Sequence, residues 1–483
     1  MPMRVLFVYP VGFQSRIWRP HHLPLGLSFL ASSLERRGHR VSIFDRYART
    51  GMTGKSREAV NEEMLERVRR FKPDVVGFNT LSPLIWDTVE CAELIRPRHS
   101  GLMMAGGHHA SALPGPTLRK VPGLDAVVEG EGEIPMARLC DGEALDKIPG
   151  LWRRSENGPV IGAMPQRVGN LDDLPFPDFS GLEMSFYTKP SLVPIRGRWL
   201  STLSMLTSRG CSKSCDFCAE SLTYGKGVRF HSVEYVIEWM KKATGDYPVE
   251  GVYFHDNDFL LDEDRARAIC EKMIDTGLHR KLVWAIQTGV ARINGEILKL
   301  LKRAGCVLVE LGVEASLQEQ LDSMHKGTKV VQNERAIALC RREGLSVHAY
   351  MITCFPGEST AELEQRLNWL RKTKPDSFQW SPLQVLPGTA LYSRAGNGFF
   401  ENSEWTMDNI RSFYGAPRLC SMSPEEYAEW MERNFAPYRR RRHYINLLGQ
   451  NSPTRLIRFA GARIRRELER FLTEEKKENG HGE

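Results

Sequence analysis

The sequence predicts an α/β protein built in two parts. One is a doubly wound parallel sheet over residues 1–140, the other a second strand–helix series over 201–390 that makes most of a barrel. Three observations carry this prediction. Short apolar runs alternate with helix-period stretches in both segments, as parallel strands under crossover helices require. A connector over 141–200, dense in Pro and Gly ("KIPGLWRR", "ENGPVIG", "LPFPDF", "KPSLVPIRG"), separates the two and reads as a linker with a small hairpin near 150–162. The remainder, 391–483, reads as a mostly helical region.

In the first part "RVLFVYP" (4–10) is a continuous apolar run, the look of a buried strand. "LGLSFLASSLERRGH" (25–39) has helical period and stops at Gly38. "RVSIFD" (40–45), a helix across "SREAVNEEMLERVRRFKP", and "DVVGFNTLS" (74–82) follow. A helix near "IWDTVECAELIR" leads to "GLMMAGGHH" (101–109), and "LDAVVEGEGE" (124–133) closes the set. Ligands of such sheets bind beyond the carboxyl ends of the strands, here "YPVGF", "NTLS", "GGHH" and "EGEGE". Gly106 and Gly107 would let a ligand lie against the backbone, although a tight strand–helix turn explains a double glycine equally well. No GxGxxG follows the first strand, which excludes the usual dinucleotide fingerprint.

The second part has six apolar runs: "STLSMLTS" (201–208), "GVYFHDND" (251–258), "LVWAIQT" (282–288), "VLVELGVE" (307–314), "SVHAYMITCFPG" (346–357) and "FQWSPLQVLPG" (378–388). Helical stretches such as "DEDRARAICEKMIDTG" and "INGEILKLLKRAG" separate them. Six β/α units make a partial (β/α)6, TIM-like barrel short of closure, with functional side chains at the carboxyl ends of its strands.

Hydrophobic residues are 41% of the 483 and the net charge is +7; mean hydropathy is −0.36. No apolar run approaches the roughly 20 residues of a membrane span, and the apolar N-terminus reads as a strand rather than a leader. The expected location is the cytoplasm, where clustered thiols mean metal or catalysis rather than disulfides. Positive charge gathers late, in "RRRR" (439–442) and "RIRRELER" (463–470), without the interleaved aromatics of a nucleic-acid face, so no nucleic-acid partner is expected.

"TSRGCSKSCDFCAES" (207–221) crowds Cys211, Cys215 and Cys218 into eight residues. A closed zinc site or a fully protein-ligated iron–sulfur cluster wants four ligands. Three leave one metal position open, and no fourth Cys or His has suitable spacing for zinc. Cys91, Cys140, Cys270, Cys306, Cys340, Cys354 and Cys420 stand singly in apolar patterns and read as core filling.

CxxxCxxC in the first βα loop of a six-unit barrel, with Phe217 before the last Cys, resembles the radical S-adenosylmethionine (SAM) superfamily. The resemblance implies a [4Fe–4S] cluster held by Cys211, Cys215 and Cys218, with SAM chelating the fourth iron. It also implies a SAM pocket drawn from Phe217, Asp256, Gln287 and Glu314, although Asp256 and Gln287 read equally well as barrel-core hydrogen bonders. "GVYFHDNDF", "ELGVEAS", "LDSMHKGT" and "MITCFPGES" resemble later family segments. After Trp284 the chain departs from the family pattern: Gly289 and Ala291 stand where relatives commonly carry Arg and Asp, and Gln287 would fill part of that space.

The first domain, with "PLGLSFLASSLERRGH", "GGHHAS" and "VVEGEGE", resembles the Rossmann-like cobalamin-binding domain of cobalamin-dependent radical SAM enzymes. "APYRRRRHYI" near the C-terminus extends the match over nearly the whole chain. The implied cobalamin would lie along Gly106 and Gly107 and the loop of Asn79 and Leu81. The DxHxxG motif that supplies a lower cobalt ligand is missing from "YPVGFQSRIWRPHH", so none is named, and His108 and His109 are read as lining the pocket.

The resemblance implies methyl transfer to an unactivated carbon through a 5′-deoxyadenosyl radical and methylcobalamin. Oxidative cyclisation or rearrangement on the same cofactors is the alternative, and a non-enzymatic corrinoid or metal carrier a remote one. The implied partners are a small-molecule substrate, hydrophobic or of tetrapyrrole or secondary-metabolite type, and an electron donor such as flavodoxin or ferredoxin. Tyr350, Gln379, Trp380 and Gln384 at the barrel mouth are uncharged, which points away from a highly charged substrate. In "SPTRLIRFAGARIRRELERFL" (452–472), Ser452 and Pro453 read as a helix start. Leu456, Ile457, Phe459, Ala460, Ile464, Leu468 and Phe471 recur at helical spacing beside Arg455, Arg458, Arg463, Arg465 and Arg466. This apolar stripe is expected to pack on the barrel, and Glu467, Glu469, Glu474 and Glu475 weigh against stable membrane binding.

Overall fold

The structure, a computed structural model, describes residues 1–11, 23–396, 398–415 and 419–463. Strands β1 (Arg4–Tyr9), β2 (Arg40–Asp45), β3 (Val75–Asn79), β4 (Leu102–Gly106) and β5 (Ala126–Val128) run parallel in the order β2-β1-β3-β4-β5. Their continuous apolar runs are buried on both faces. Val5 and Phe7 enter one core, Leu6 and Val8 the other. The strand order reverses between β1 and β3, which places the ligand crevice at their carboxyl ends.

A helix that the sequence reading did not foresee, Arg46–Thr53, follows β2 directly. The Asp45 carboxylate caps it by accepting from Ala48 N at 2.9 Å. Arg46 then points back under the sheet to a bidentate pair with Asp87, both fully buried. Asp87 also accepts from Val11 N at 2.9 Å and so tethers the start of the loop after β1; residues 12–22 of that loop lie outside the described residues.

The hairpin of the connector is present as β6 (Leu151–Arg153) and β7 (Val160–Ile161), but it is no free linker element. It pairs antiparallel with β5 and extends the first sheet to seven strands. Trp152 donates its indole N–H to Glu129 at 2.7 Å, which fixes the hairpin beside the β5 loop.

Barrel strands β8 (Thr202–Met205), β11 (Gly251–Phe254), β12 (Val283–Thr288), β13 (Cys306–Glu314), β14 (Ser346–Thr353) and β15 (Ser377–Pro382) form one parallel sheet in the order β15-β14-β13-β12-β11-β8. No pairing joins β15 to β8, so the six-stranded sheet curls without closing. Alternate residues settle its two faces. Phe254, Trp284, Ile286, Val309, Leu311, Val347 and Ala349 pack outward against the helices. Inward, Ile195 and Leu200 of the connector plug the floor against Tyr253, Ala285 and Leu308. Trp380 falls on the outer face, in contact with Phe435 at 4.4 Å between ring centroids, and so leaves the set of barrel-mouth residues expected from sequence.

The run read as one strand over 201–208 is two. β8 ends at Met205, and β9 (Ser208–Cys211) turns out of the barrel to pair antiparallel with β10 (Gly227–Phe230). Buried Asp256 holds the corner by accepting from Thr207 N at 3.1 Å, Thr207 Oγ1 at 2.7 Å and the Ser208 hydroxyl. Gly210 has φ +96°, and a Cβ there would lie 2.2 Å from the Gly227 carbonyl oxygen, so only glycine allows this pairing.

After the barrel come short helices, among them Pro424–Trp430, whose Ser423 and Glu426 form a capping box, and the longer Ala436–Gln450. Helix resumes over 453–463, and Ser452 Oγ accepts from Arg455 N at 3.4 Å. Ile464, Leu468, Phe471, Arg465, Arg466, Glu467, Glu469, Glu474 and Glu475 lie outside the described residues. Among the described residues no helix is long and apolar enough to cross a membrane.

Candidate active site

The three thiols sit on the loop that the β9–β10 pair closes. Cys211 ends β9, and Cys218 N donates to Cys215 O at 3.1 Å in a tight turn before the helix Glu220–Tyr224. Cys211 and Cys215 are half-buried and Cys218 is exposed, whereas six of the other seven cysteines are buried, as expected of core filling, and Cys420 is half-buried. Among the described residues no three His, Cys, Asp or Glu side chains converge on one ion-sized point, so the thiols show no single-ion zinc geometry.

Although the Cys218 side chain reaches solvent, the protein packed around it raises its thiol to about 11; burial also raises Cys215, while the ammonium groups of Lys326 and Lys213 pull Cys215 back down. Lys213 Nζ donates to the Lys326 carbonyl at 3.4 Å, and Lys326 Nζ pairs with Glu314 at 2.7 Å. Soft thiols beside two ammonium groups fit an anionic thiolate-bound cluster.

Glu314 is poised by backbone strain. It follows a register shift at the end of β13 and has φ +62°. Gly312 leaves the space that this pair occupies, since a Cβ there would lie 2.9 Å from Glu314 Oε1 and 3.0 Å from Lys326 Nζ. Lys326, in "LDSMHKGT", stands beside the cysteine loop, a position that only the fold reveals.

The other inward residues divide. Asp256 is fully buried with its carboxylate turned to Thr207 and Ser208, so it shapes the base of the cysteine loop. Phe217 packs into the core shared with the first domain. Gln287 is half-buried in register with Glu310. Glu310 itself was missed: fully buried, it pairs with Arg196 of the connector at 3.2 Å and accepts from Tyr253 OH at 2.6 Å and from Tyr350 OH. At Gly289, where the family pattern has Arg, a Cβ would lie 3.2 Å from Asp258 Oδ2; Asp258 bonds Thr288 Oγ1 at 2.5 Å and Gly289 N at 3.2 Å.

A cleft of about 240 Å³ opens at the carboxyl ends of β1, β3, β4 and β5, and Asn79, Leu81, Gly106 and Gly107 all line it. Its other wall is Arg209, Thr223 and Tyr224, from β9 and the helix after the cysteines. Thr80 knits the rim: Thr80 N donates to Gly106 O at 2.7 Å and His109 N to Thr80 O at 3.2 Å. His108 lines the cleft, with Nε2 3.9 Å from Glu220. His109, expected beside it, points the other way. It is fully buried against Phe400 and Trp405, its Nδ1 is 3.0 Å from Ser82 Oγ, and burial holds its pKa down to about 3. This glycine-floored cleft fits a flat, backbone-hugging ligand such as the nucleotide end of cobalamin.

Gly107 has φ +108° and ψ −171°, a region open essentially to glycine alone. An alanine Cβ would lie 2.8 Å from Thr80 O. Strain of about 1–3 kcal/mol moves the rim, so Gly107→Ala is expected to weaken corrinoid retention about tenfold or more, read from corrinoid absorbance after gel filtration.

"EGEGE" turns out to join the two domains. Arg209 reaches Glu133 at 2.7 Å and Glu131 at 3.4 Å, and Arg229 reaches Glu131 at 2.6 Å. Arg209, Glu131 and Glu133 are all at most 7% exposed at their side chains. Burial raises the Glu131 pKa, but the Arg229 hydrogen bond and both guanidinium charges outweigh it and the net shift is downward. A carboxylate lowered in the folded state contributes stability above its unfolded pKa of about 4.3, lost as pH falls through the folded value. The melting temperature is therefore expected to fall as pH drops below about 4.3, and Arg229→Ala to flatten that slope.

Comparison with known proteins agrees with this geometry. The Radical SAM superfamily matches residues 205–370 and the B12 binding domain residues 19–140. A protein of Pyrococcus horikoshii, named an uncharacterized methyltransferase, is 31% identical over 412 residues, covering 83% of this chain and 85% of that one. The anaerobic magnesium-protoporphyrin IX monomethyl ester cyclase of Cereibacter sphaeroides is 26% identical, over 81% of this chain and 63% of its own length. The solved structure of the radical SAM methyltransferase TsrM from Kitasatospora setae, with cobalamin and a [4Fe–4S] cluster bound, superposes with a TM-score of 0.66 at 20% identity, over 83% of this chain and 75% of that one. The paired domains, the three-cysteine loop and the relative from Pyrococcus together make the chain a member of the cobalamin-binding radical SAM enzyme family.

Proposed function

We propose that the protein transfers a methyl group from cobalamin to an unactivated carbon of a small molecule. The observation that carries this is one shared wall: Arg209, Thr223 and Tyr224 belong to the cysteine segment and also line the cleft at the carboxyl ends of the first sheet, where cobalamin would lie. When bound, the cluster supplies the electron that cleaves SAM and cobalamin supplies the methyl group.

The protein's own residues bind, orient and exclude water. Cys211, Cys215 and Cys218 would hold the cluster. Lys326, oriented by Glu314 at 2.7 Å, would hold one of its remaining N–H groups toward a SAM carboxylate beside them. Gly106 and Gly107 would admit cobalamin against the backbone. His108, Glu220 and Asn257 form a polar chain from that cleft toward the barrel, with Asn257 Nδ2 donating to Glu220 at 2.7 Å. Arg196, Glu310, Tyr253 and Tyr350 seal the floor with their charges compensated, which suits a substrate recognised by neutral hydrogen bonds. A flavodoxin- or ferredoxin-type protein in the cytoplasm would supply electrons.

Counting SAM products tests the reading. Methylation is expected to give S-adenosylhomocysteine and 5′-deoxyadenosine in equal amounts. The cyclase-type outcome, favoured by the likeness to the Cereibacter enzyme, gives only the latter and would overturn methyl transfer.

A further inference from the structure

We infer that the helical pair at the end of the described chain is a docking surface for a lipid bilayer with anionic headgroups. Residues 436–463 contain seven Arg and no Asp or Glu. Arg440 pairs with Glu432 at 3.4 Å and Arg455 with Glu250 at 3.0 Å, while Arg442 is spent on the carbonyls of Lys374 and Pro375. Among the described residues no carboxylate lies within ion-pair distance of Arg439, Arg441, Arg458 or Arg463, and all four are exposed.

The same stretch leaves its large apolar side chains in water. Tyr444 is 54% exposed, Ile445 49%, Leu448 63% and Ile457 72%. Arg441, Tyr444, Ile445 and Leu448 recur at i, i+3, i+4 and i+7 and share one face of the helix Ala436–Gln450. Its opposite face is anchored, with Asn446 and Leu447 buried, and the free face begins after its first turn, where Tyr438 OH bonds Leu370 O at 3.0 Å. Of the next helix, Phe459 packs on Trp199 at 5.2 Å between ring centroids, but Ile457 does not follow it inward. Of the stripe expected to pack on the barrel, the described residues therefore pack only in part, while Glu467, Glu469, Glu474 and Glu475, which weigh against membrane contact, lie outside the described residues.

Charge decides the occupant. A second copy would set an acid-free arginine face against another. Residues 464–483 hold five Lys or Arg and six Glu, so their net charge of −1 leaves 436–483 strongly positive. An anionic bilayer accepts both features, apolar tips below the headgroups and guanidinium groups among the phosphates.

Flotation of the full-length protein, with its cofactors, tests this using vesicles of phosphatidylcholine alone or mixed with phosphatidylglycerol. It is expected to float with the mixed vesicles at low salt, to be released at high salt, and to stay down with phosphatidylcholine. Arg441→Glu with Arg458→Glu should weaken partitioning about 25-fold or more, taking roughly fivefold per arginine removed. Ile445→Asp with Leu448→Asp should also abolish flotation, and both variants keep SAM cleavage because every changed side chain is exposed. Flotation independent of these substitutions, or its absence at low salt, overturns the proposal. So does its loss on deleting 464–483, which would assign docking to that segment. A dimer dissociated by Leu448→Asp, or RNA binding tighter than vesicle binding, overturns it as well.

Discussion

Cys215→Ala is expected to lose all detectable reductive cleavage of SAM. After anaerobic reconstitution, iron and sulfide should fall from about four each per chain to a small fraction. The thiol sits between Cys211 and Cys218, the loop's other soft donors; of its charged neighbours the ammonium groups of Lys213 and Lys326 repel metal, and the Glu314 carboxylate is engaged by Lys326. The fold should survive, because Cys215 is half-buried and the loop is held at its ends by β9 and β10. Cys270→Ala is the control. It opens a small cavity in a fully buried site and costs about 1–2 kcal/mol of stability while leaving the cluster in place. If Cys215→Ala still cleaves SAM, the assignment of the cluster to these thiols fails.

Arg209→Ala is expected to cost about 3–5 kcal/mol, because it leaves Glu131 and Glu133 buried without their shared cation. Arg229 still reaches Glu131, whereas Glu133, 7% exposed at its side chain, loses its 2.7 Å partner. The variant also removes one wall of the cobalamin cleft, so thermal stability and corrinoid retention should drop together. Combining it with Glu131→Gln and Glu133→Gln should recover much of the melting temperature and little of the corrinoid, since neutral amides restore satisfaction but not the wall. Equal recovery of both would show that the arginine touches the cleft only through stability.

The two sheets were legible because each parallel strand is a continuous apolar run, and strand parity then assigns faces. The three cysteines were legible because their spacing is local. What escaped depends on partners distant in sequence. Met205 and Ser208 look like one strand until Asp256, 49 positions after Thr207, takes up the corner. Glu310 sits inside an apolar run and gains its meaning from Arg196, 114 positions earlier in a segment that reads as linker. Trp380 was misplaced because one residue of parity separates the mouth from the outer wall, and Gln379 occupies the inward register beside Tyr350. The acidic loop, read as a ligand loop, does line the cleft; its second role in joining the domains escaped because nothing local announces that its cations lie on β9 and β10.

The pairing of β9 with β10 also bears on how the enzyme is matured. The hairpin brings both ends of the cysteine loop together through backbone bonds alone, so the entropy of closing that loop is met during folding and not charged to metal binding. Iron and sulfide are then expected to enter a loop whose ends are already paired, unlike a zinc finger, which is unfolded without its metal. Loss of the cluster to oxygen is expected to leave that hairpin standing, so that repair is a refilling in place rather than a new synthesis of the protein.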